Sequence, residues 1–196
     1  VCVAGPSRVS QVIREALARG ADRAIHVQHD ELAFADADVV ASSLAHSMVS
    51  EQFDLVLTGL QSDDQGFGQT GVILAERLGL PHATIVMEVD AGIANTVRVK
   101  RELEGGWFQW VSMPTPALLT IQSGINQLRY ATLKGIMAAK KKEVRVVELQ
   151  ELQSAGQHIV RLYVPEKEKA TRFVEGAPDA ASQELIRLLR EEARVL

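Results

Sequence analysis

The segment Gly59–Gly71 has the composition of a phosphate-binding loop. It joins an apolar segment, Asp54–Thr58, that is typical of a parallel strand to a segment with helical spacing, Gln69–Leu78. Small residues allow a phosphate to approach the backbone, and free N–H groups at a helix N-terminus donate hydrogen bonds to it. Ligands of open α/β sheets bind at this position, beyond the carboxyl end of a strand. The sequence therefore predicts that backbone N–H groups between Asp64 and Thr70 bind a nucleotide phosphate.

Two other interpretations of this loop remain open from the residues alone. Gly66, Gly68 and Gly71 match the dinucleotide-binding pattern G-x-G-x-x-G, and Asp90 follows Gly71 by 19 residues. In that motif the first glycine follows the strand directly, whereas seven residues, Gly59 to Gln65, intervene here. The P-loop pattern G-x-x-x-x-G-K-[ST] does not occur in the sequence. The remaining interpretation is a mobile turn with a glycine-rich helix cap.

A second unusual segment, Asn126–Lys142, combines a basic run with apolar side chains. The basic residues alone are typical of a solvated surface. Leu133, Ile136 and Met137 lie at helical spacing, which is compatible with a short helix that faces the core. The same three side chains, together with Tyr130, are also compatible with an exposed recognition segment.

Other candidate chemistry is sparse. His26 and His29 lie close in sequence to Asp30 and Glu31, which could form a metal site, although isolated histidines are more often structural. The pair Asp63–Asp64 could bind a metal or act as a base, but adjacent carboxylates in a polar loop are more often caps and turn formers. No Gly-x-Ser-x-Gly elbow and no Cys–His pair is evident. The sequence does not predict a protein that performs its own bond chemistry.

The composition is that of an ordinary globular chain. The 196 residues are 46% apolar and 23% charged, with a mean hydropathy of +0.02, which argues against a disordered or fibrous protein. A net charge of −4 argues against nucleic acid as the main partner. One cysteine, Cys2, is typical of a reducing compartment, and no run of about 18 apolar residues predicts a membrane span. Because Val1–Ala4 reads as a core strand with no lead-in, we expect that the true N-terminus has been removed.

The pattern of elements predicts an α/β fold: an open, mostly parallel, Rossmann-like sheet with helices on both faces. Helices are expected from Val9 to Gly20, after a cap at Asp36 or Asp38, and over Gln69–Leu78. A change to period two predicts an antiparallel hairpin after the fourth strand. The expected strands are Val1–Ala4, Ala24–Val27, Asp54–Thr58, Ala83–Val89, Thr96–Leu103, Trp107–Val111 and Ala117–Ile121.

The chain is expected to have two parts. Residues 1–148 form the nucleotide-binding α/β domain, which includes a partner-recognition loop at about 126–142. Residues 149–196 form a C-terminal extension with a short strand, Ile159–Val164, and a helix, Asp179–Ala193. These elements have no obvious place in the parallel sheet, so the extension is expected to contact a partner subunit.

Three stretches resemble the beta subunit of electron transfer flavoprotein. Ala18–Ala24 resembles the family's helix-to-strand junction, and Asp54–Gly71 resembles its nucleotide loop. The most specific stretch is Asn126–Lys142, where Arg129-Tyr130-Ala131-Thr132-Leu133 and a following Ile-Met pair before lysines match the family signature. The resemblance covers nearly the whole chain, but the family's first strand, hairpin and helix, roughly sixty residues, have no counterpart in it.

The resemblance implies a nucleotide site and a partner site on this chain. The implied partner site is the loop that contacts acyl-CoA dehydrogenases, with Leu133 inserted in a partner pocket. Lys134 and Gly135 replace a Pro-Asn pair, and Ala138 replaces a lysine, so lysine methylation is not carried over. The implied cofactor-binding residues are Ala4, Gly59, Gln61, Ser62, Asp63, Asp64, Gln65, Gly66, Phe67, Gly68, Gln69 and Thr70. The implied partner-binding residues are Arg129, Tyr130, Ala131, Thr132, Leu133, Ile136 and Met137.

The resemblance also implies a function. Such a chain forms a heterodimer with an alpha subunit that holds most of a redox-active FAD, while the beta subunit holds AMP, or a second FAD in electron-bifurcating relatives. The heterodimer is an electron carrier that accepts electrons from acyl-CoA and other dehydrogenases and passes them, through electron transfer flavoprotein:quinone oxidoreductase, to the respiratory chain. The expected location is the bacterial cytoplasm, or the mitochondrial matrix in a eukaryote. The alternative is a stand-alone adenine-nucleotide-binding or hydrolysing signalling domain of similar fold.

Overall fold

The computed structural model describes residues 1–164 and 171–196, in which strands alternate with helices over the first 93 residues. The strands are β1 Cys2–Gly5, β2 Ala24–Gln28, β3 Leu55–Gly59, β4 His82–Ile93, β5 Thr96–Glu102, β6 Phe108–Pro114, β7 Ala117–Ile121 and β8 Val144–Glu148. The α-helices are α1 Ser10–Ala18, α2 Ala37–Met48, α3 Thr70–Leu78, α4 Leu133–Ala139 and α5 Pro178–Glu191. The α/β class expected from the sequence is confirmed.

The strands form two hydrogen-bonded sheets. The first has the order β1-β2-β8 and is parallel throughout. The second has the order β3-β7-β4-β5-β6, in which the first three strands are parallel and the last two are antiparallel. The expected hairpin is therefore present as β5 and β6, at the far edge of the second sheet.

Helices cover the sheets by burying small and branched side chains. On the first sheet, Ile13 and Leu17 of α1 pack with Ala24 of β2 and with Ala139 of α4. On the second sheet, α2 and α3 form a common core with Val56 of β3. Helix α2 also packs against the first sheet through a cluster that includes Ala4, so a single helix contacts both sheets.

The helix ends follow the expected capping chemistry. The side chain of Asp36 caps α2 by accepting a hydrogen bond of 2.9 Å from the backbone N–H of Val39, so Asp36 rather than Asp38 is the cap. Helix α3 ends at Gly79, whose left-handed conformation (φ +66°) is the usual way to terminate a helix.

Two expectations for the last third of the chain are wrong. Strand β8 was not expected, although its valines alternate in part, and it pairs in parallel with β2 over Ala24–Gln28. The strand expected at Ile159–Val164 is not present: these residues are irregular and their side chains are exposed. Apolar β-branched residues favour a strand only where a neighbouring strand supplies hydrogen bonds, and this segment has no such neighbour among the described residues. The expected terminal helix is present as α5.

The residues after β8 do not leave the α/β unit at once. The compact unit runs from Val1 to Ile159, and a second unit comprises Val160–Leu196. The carboxylate of Asp36 accepts hydrogen bonds from the backbone N–H groups of Gly156 at 2.8 Å and Gln157 at 3.0 Å. The buried Asp36 side chain therefore serves both as a helix cap and as the anchor of the segment 149–157.

Replacing Asp36 separates these two roles. Asp36→Asn keeps a cap oxygen but offers an amide to the two N–H groups, so amide hydrogen exchange at Gly156 and Gln157 should accelerate while α2 stays intact. Asp36→Ala removes the cap as well and should lower the free energy of unfolding by about 1–2 kcal/mol. Equal exchange at both amides in the wild type and the asparagine variant would contradict this assignment.

The same anchor should depend on pH. The hydrogen bond from the Val39 N–H is the largest influence on the pKa of Asp36, and it lowers this pKa. Burial opposes the shift, but the N–H groups of Gln157 and Gly156 add to it, so the pKa lies below its ordinary value. A lowered folded-state pKa stabilises the protein above the unfolded-state pKa of about 3.9, and this stabilisation is lost as the pH falls through the folded-state value. The stability difference between wild type and Asp36→Ala, measured by denaturant unfolding, should therefore shrink below about pH 4. A difference that grows on acidification would contradict it.

Candidate functional site

The main candidate site is a cleft of about 980 Å³ at the carboxyl ends of β3 and β7. Parallel pairing of these strands brings the loops that follow them to the same edge of the sheet. One wall comes from the loop after β3 and the other from the loop after β7. The lining residues are Leu57, Thr58, Gly59, Leu60, Gln61, Ser62, Asp63, Gly66, Ile121, Gln122, Ser123, Gly124, Ile125 and Asn126.

The loop after β3 is shaped by its own hydrogen bonds. The Gln61 side-chain amide donates to the Gly66 carbonyl at 2.8 Å, and the Gly66 N–H donates to the Ser62 carbonyl at 3.2 Å. Gly66 and Gly68 have φ values of +68° and +62°, a region in which a side chain would be strained. The two glycines therefore let the chain turn twice before α3 begins.

The N-terminus of α3 faces this edge without a side-chain cap. The first hydrogen bond of the helix runs from the Ile73 N–H to the Gln69 carbonyl at 3.0 Å, and the Gln69 side chain makes no capping hydrogen bond. The N–H groups of residues 70–72 precede that bond and have no acceptor within the helix. Such a terminus can bind an anion through its donors and its dipole.

Gly71 sets how closely α3 approaches the sheet. A Cβ atom at this position would lie 2.5 Å from the Thr58 hydroxyl oxygen and 2.6 Å from the Thr120 methyl carbon. Only glycine fits between the helix and the ends of β3 and β7. The Thr58 hydroxyl is itself buried and has no hydrogen-bond partner among the described residues.

The described residues that line the cleft include one acidic side chain and no basic one. None of the 14 described residues that line it carries a positive charge, and Asp63 carries a negative one. The neighbouring Asp64 accepts a hydrogen bond of 2.7 Å from the Gln65 N–H, and this bond, followed by the Ser62 hydroxyl, lowers the pKa of the Asp64 carboxyl. Asp64 thus acts as a turn former, as the second interpretation of this pair proposed.

The structure brings together only part of the predicted nucleotide-binding set. Gly59, Gln61, Ser62, Asp63 and Gly66 line the cleft, whereas the other loop residues, Asp64, Gln65, Gly68, Gln69 and Thr70, are adjacent in the chain but do not line it. Phe67 lines a separate cavity of about 90 Å³ with Phe34 and His158, and Ala4 lies at the end of β1 in the other sheet.

Sequence reasoning missed the second wall, residues 122–126. Its signal was present as Gln122-Ser123-Gly124, a small polar stretch directly after the buried strand β7. The sequence pattern places Asn126 at the start of the recognition segment instead. The wall becomes visible only through the pairing of β7 with β3, which sequence spacing does not reveal.

The recognition segment forms a short helix whose apolar side chains face solvent. Leu133 begins α4 and is 83% exposed, Tyr130 is 88% exposed and Met137 is 62% exposed, while Ile136 is 44% exposed. The helix is present, but these side chains do not point to the core, as the alternative required. Ala139, at the end of α4, is the residue that is buried.

Backbone contacts with α1 fix α4 in this orientation. A Cβ atom at Gly135 would lie 2.5 Å from the Ala18 carbonyl oxygen, so the two helices touch through their backbones. The Arg14 guanidinium donates to the Ala139 carbonyl at 2.6 Å, and the Lys142 ammonium donates to the carbonyls of Leu17 and Ala21 at 3.0 and 2.6 Å. Lys142 is therefore a helix-capping residue rather than part of a solvated basic surface.

The histidine candidates have structural roles. His26 is buried with its Nε2 atom 3.1 Å from the Gly5 carbonyl oxygen. The Nδ1 atom of His29 accepts a hydrogen bond from the Glu31 N–H and caps a short 3-10 turn. Across residues 1–164 and 171–196, no group of three histidine, cysteine, aspartate or glutamate side chains is arranged to bind a metal ion. In that same part of the chain, no helix has the length and apolarity required to cross a bilayer.

Comparison with known proteins identifies the family to which the chain belongs. Residues 1–152 match the family model of the electron transfer flavoprotein domain. The chain is 38% identical to the electron transfer flavoprotein subunit beta of Methylophilus methylotrophus, over 95% of this chain and 74% of the relative. It is 32% identical to the Bacillus subtilis subunit beta, over 98% of this chain and 77% of the relative, and 36% identical to the Sus scrofa subunit beta, over 97% and 74%. The chain belongs to the electron transfer flavoprotein family and, within it, to the beta subunits.

The close approach of α3 to the sheet can be tested with two glycine variants. Gly71→Ala should lower the free energy of unfolding by about 1–3 kcal/mol, because its Cβ atom cannot be accommodated. Gly59→Ala is the matched control, since nothing lies within 4 Å of a Cβ atom there, and its effect should stay within about 0.5 kcal/mol. Urea unfolding of both variants measures the difference. Similar losses in the two would show that the spacing of α3 is not set by Gly71.

Proposed function

We propose that this chain is the nucleotide-binding beta subunit of a heterodimeric electron transfer flavoprotein. The heterodimer accepts electrons from acyl-CoA and other dehydrogenases and passes them through a quinone oxidoreductase to the respiratory chain. The observation that carries the proposal is the family match over residues 1–152. The beta subunit is a carrier subunit with no bond chemistry of its own, and the FAD is held mainly by the alpha subunit.

The cleft between the β3 and β7 loops is the proposed site of an AMP. The side-chain amides of Gln61, Gln122 and Asn126 line the cleft, and the free backbone N–H groups at the start of α3 follow on the same loop, just outside this lining. One phosphate at a helix N-terminus can be stabilised by these donors alone.

The same charge distribution favours AMP over a triphosphate. Proteins that hydrolyse ATP hold the terminal phosphates with a lysine or arginine and with a magnesium ion bound by side chains. The described lining of this cleft has no cationic side chain. A hydrolysing or signalling domain would have no use for the exposed apolar residues on α4, so the alternative function leaves that surface unexplained.

The exposed face of α4 is the proposed contact with electron-donating dehydrogenases. An electron carrier needs an interface that forms and separates quickly, which favours a small contact with one buried apolar side chain. Leu133 is 83% exposed, and it lies on a helix whose last carbonyl, that of Ala139, accepts a hydrogen bond from Arg14 of α1. The exposed Lys140 and Lys141, which directly follow α4, would accelerate encounter with an acidic partner.

Analysis of the native complex tests the proposed function directly. The chain should co-purify with a yellow alpha subunit, and mass spectrometry of the nucleotides released by denaturation should find FAD and AMP in similar amounts. Release of two FAD molecules and no AMP would indicate a bifurcating relative. Purification as a single chain with bound ATP or ADP, and ATP hydrolysis, would contradict the proposal.

Leu133→Ala should reduce electron transfer from a dehydrogenase roughly ten- to a hundredfold, because a buried leucine contributes about 1.5–3 kcal/mol to an interface. Melting temperature and flavin content should stay near those of the wild type, since the side chain is exposed in the free chain. Val49→Ala, at another exposed apolar position, is the control and should change neither property. A large drop in melting temperature with unchanged turnover would instead place Leu133 in a core, where truncation costs about 2–5 kcal/mol.

The second unit, Val160–Leu196, is the proposed contact with the alpha subunit. Its helix α5 has no buried residue, and Leu185 and Ile186 remain exposed. On the same helix Arg187 forms ion pairs with Glu184 and Glu191. These charged side chains bind one another within α5, whereas the apolar side chains remain available to a partner. An amphipathic helix with an uncovered apolar stripe is typical of a segment that binds another chain.

Truncation after Ile159 tests this contact. The cut leaves the segment anchored by Asp36 in place, so the α/β unit should keep its melting temperature and its nucleotide. Assembly with the alpha subunit, measured by size-exclusion chromatography, should weaken at least tenfold. Normal assembly of the truncated chain would contradict the proposal.

A further inference from the structure

Thr120, near the end of β7, is a buried polar residue that lies against two other elements. Its exposed fraction is only 2%. Its hydroxyl oxygen accepts a hydrogen bond of 3.2 Å from the backbone N–H of Ile85 in β4. Its methyl carbon would lie 2.6 Å from a Cβ atom at Gly71 in α3. The methyl group is therefore packed under the first turn of the helix, and this packing keeps the hydroxyl aimed at β4.

The Ile85 N–H belongs to a strained bulge in β4. After Ala83 pairs with Leu119, β4 takes three residues to reach its next partnered residue, Val86, whereas β7 takes two. Within the bulge, Ile85 has a φ of +56°, and among the described residues no other β-branched residue has a left-handed conformation. Such a conformation is rare for this type of side chain, and it persists only where the surrounding structure holds it.

Two side chains hold the bulge from opposite sides. Strands β7 and β5 flank β4 in the sheet. From β7, Thr120 accepts the hydrogen bond from Ile85, and from β5 the Arg101 guanidinium donates to the Thr84 hydroxyl at 2.8 Å. Bulges change the direction of backbone groups and are common beside functional sites. Of these two hydrogen bonds, only the one to Thr120 is made by the strained residue itself.

The residue after the bulge attaches the second wall of the cleft to the sheet. The Val86 carbonyl accepts a hydrogen bond of 3.0 Å from the Gln122 N–H. Gln122 directly follows β7 and lines the cleft together with residues 123–126. A strand without the bulge would direct the Val86 carbonyl to the other side, because successive residues of a strand alternate in the direction of their backbone groups. The wall would then lose the hydrogen bond that fixes its first residue.

We propose that Thr120 is a positioning residue of the nucleotide cleft, whose hydroxyl holds the second wall in place through the bulge at Ile85 and the carbonyl of Val86. Thr120 does not itself line the cleft, so it acts only through these groups. The effect on nucleotide affinity rests on the proposed function of the cleft. The relay from Thr120 to Gln122 is a property of the protein alone and is measurable without nucleotide.

Two substitutions at Thr120 isolate the hydroxyl. Thr120→Val removes it and keeps the shape of the side chain, whereas Thr120→Ser keeps it. In the complex with the alpha subunit, freed of nucleotide, amide hydrogen exchange at Ile85 and Gln122 should accelerate about tenfold or more in the valine variant and stay near the wild-type rate in the serine variant. The Kd for AMP, measured by calorimetry, should rise about fivefold or more in the valine variant but less than about twofold in the serine variant.

An Ile85→Gly background tests whether the effect passes through the bulge. Glycine adopts a positive φ without strain, so the bulge then depends much less on the hydroxyl. In this background Thr120→Val should raise the Kd for AMP less than about twofold, because the two sites are coupled. Ser43→Ala is the matched control: it removes another buried hydroxyl, which donates to the Val39 carbonyl within α2. It should change neither the exchange at Gln122 nor the affinity for AMP.

Two results would overturn the proposal. One is equal exchange at Gln122 in the wild type and the valine variant. The other is a loss of AMP affinity in the valine variant that persists undiminished in the Ile85→Gly background, since Thr120 would then act by a different route. If the wild-type complex binds no AMP, the proposed nucleotide site fails, and the exchange rates at Gln122 still decide whether Thr120 positions the wall.

Discussion

The parallel pairing of β3 with β7 is the interaction on which the candidate site depends. It places two loops that are more than fifty residues apart in sequence at one edge of the sheet and so creates the cleft. Gly71 completes the arrangement, because only a residue without a Cβ atom lets α3 approach both strands so closely. The helix N-terminus then follows the loop with its N–H groups available, and Gly66 and Gly68 supply two left-handed residues in the path from strand to helix.

In α4, backbone groups hold the helix in place, while most of its apolar side chains are exposed. The helix is short, and contacts with the backbone of α1 hold it: Gly135 touches the Ala18 carbonyl, and Lys142, just after α4, donates to the Leu17 carbonyl. In the other direction, Arg14 of α1 donates to the Ala139 carbonyl of α4. Because these polar contacts fix the helix, the apolar side chains are not needed for packing. Leu133 can therefore be exposed without loss of the fold, which is a requirement for a surface that binds partners transiently.

Local signals in the sequence were sufficient for most elements. Buried apolar strands such as β7, the Asp36 cap and the Gly79 stop were predictable, because each depends on a few neighbouring residues. Strand β8 was missed, and the strand at Ile159–Val164 was wrongly expected, for the same physical reason: a strand is stable only if a partner edge is available. Availability of an edge is a property of the whole sheet and cannot be judged from a short window.

Only one wall of the cleft, the loop after β3, was predictable from the sequence. The loop after β3 has a composition that indicates phosphate binding, and its position after a strand was correctly inferred. The second wall, residues 122–126, and the location of Phe67 in another cavity depend on strand order and on the segment anchored by Asp36. Likewise, helical spacing placed Leu133 and Met137 on one face, but it could not distinguish a face toward the core from a face toward solvent.

The central claim is tested most directly by titrating AMP into the ¹⁵N-labelled chain. The chain is used in complex with its alpha subunit, after removal of bound nucleotide. If the cleft holds the nucleotide, the amide shifts that change most should belong to residues 59–71 and 122–126, with the largest changes at the start of α3. Amides of the β5–β6 hairpin should not move. Changes centred instead on residues 150–158, with the α3 amides unaffected, would contradict the account.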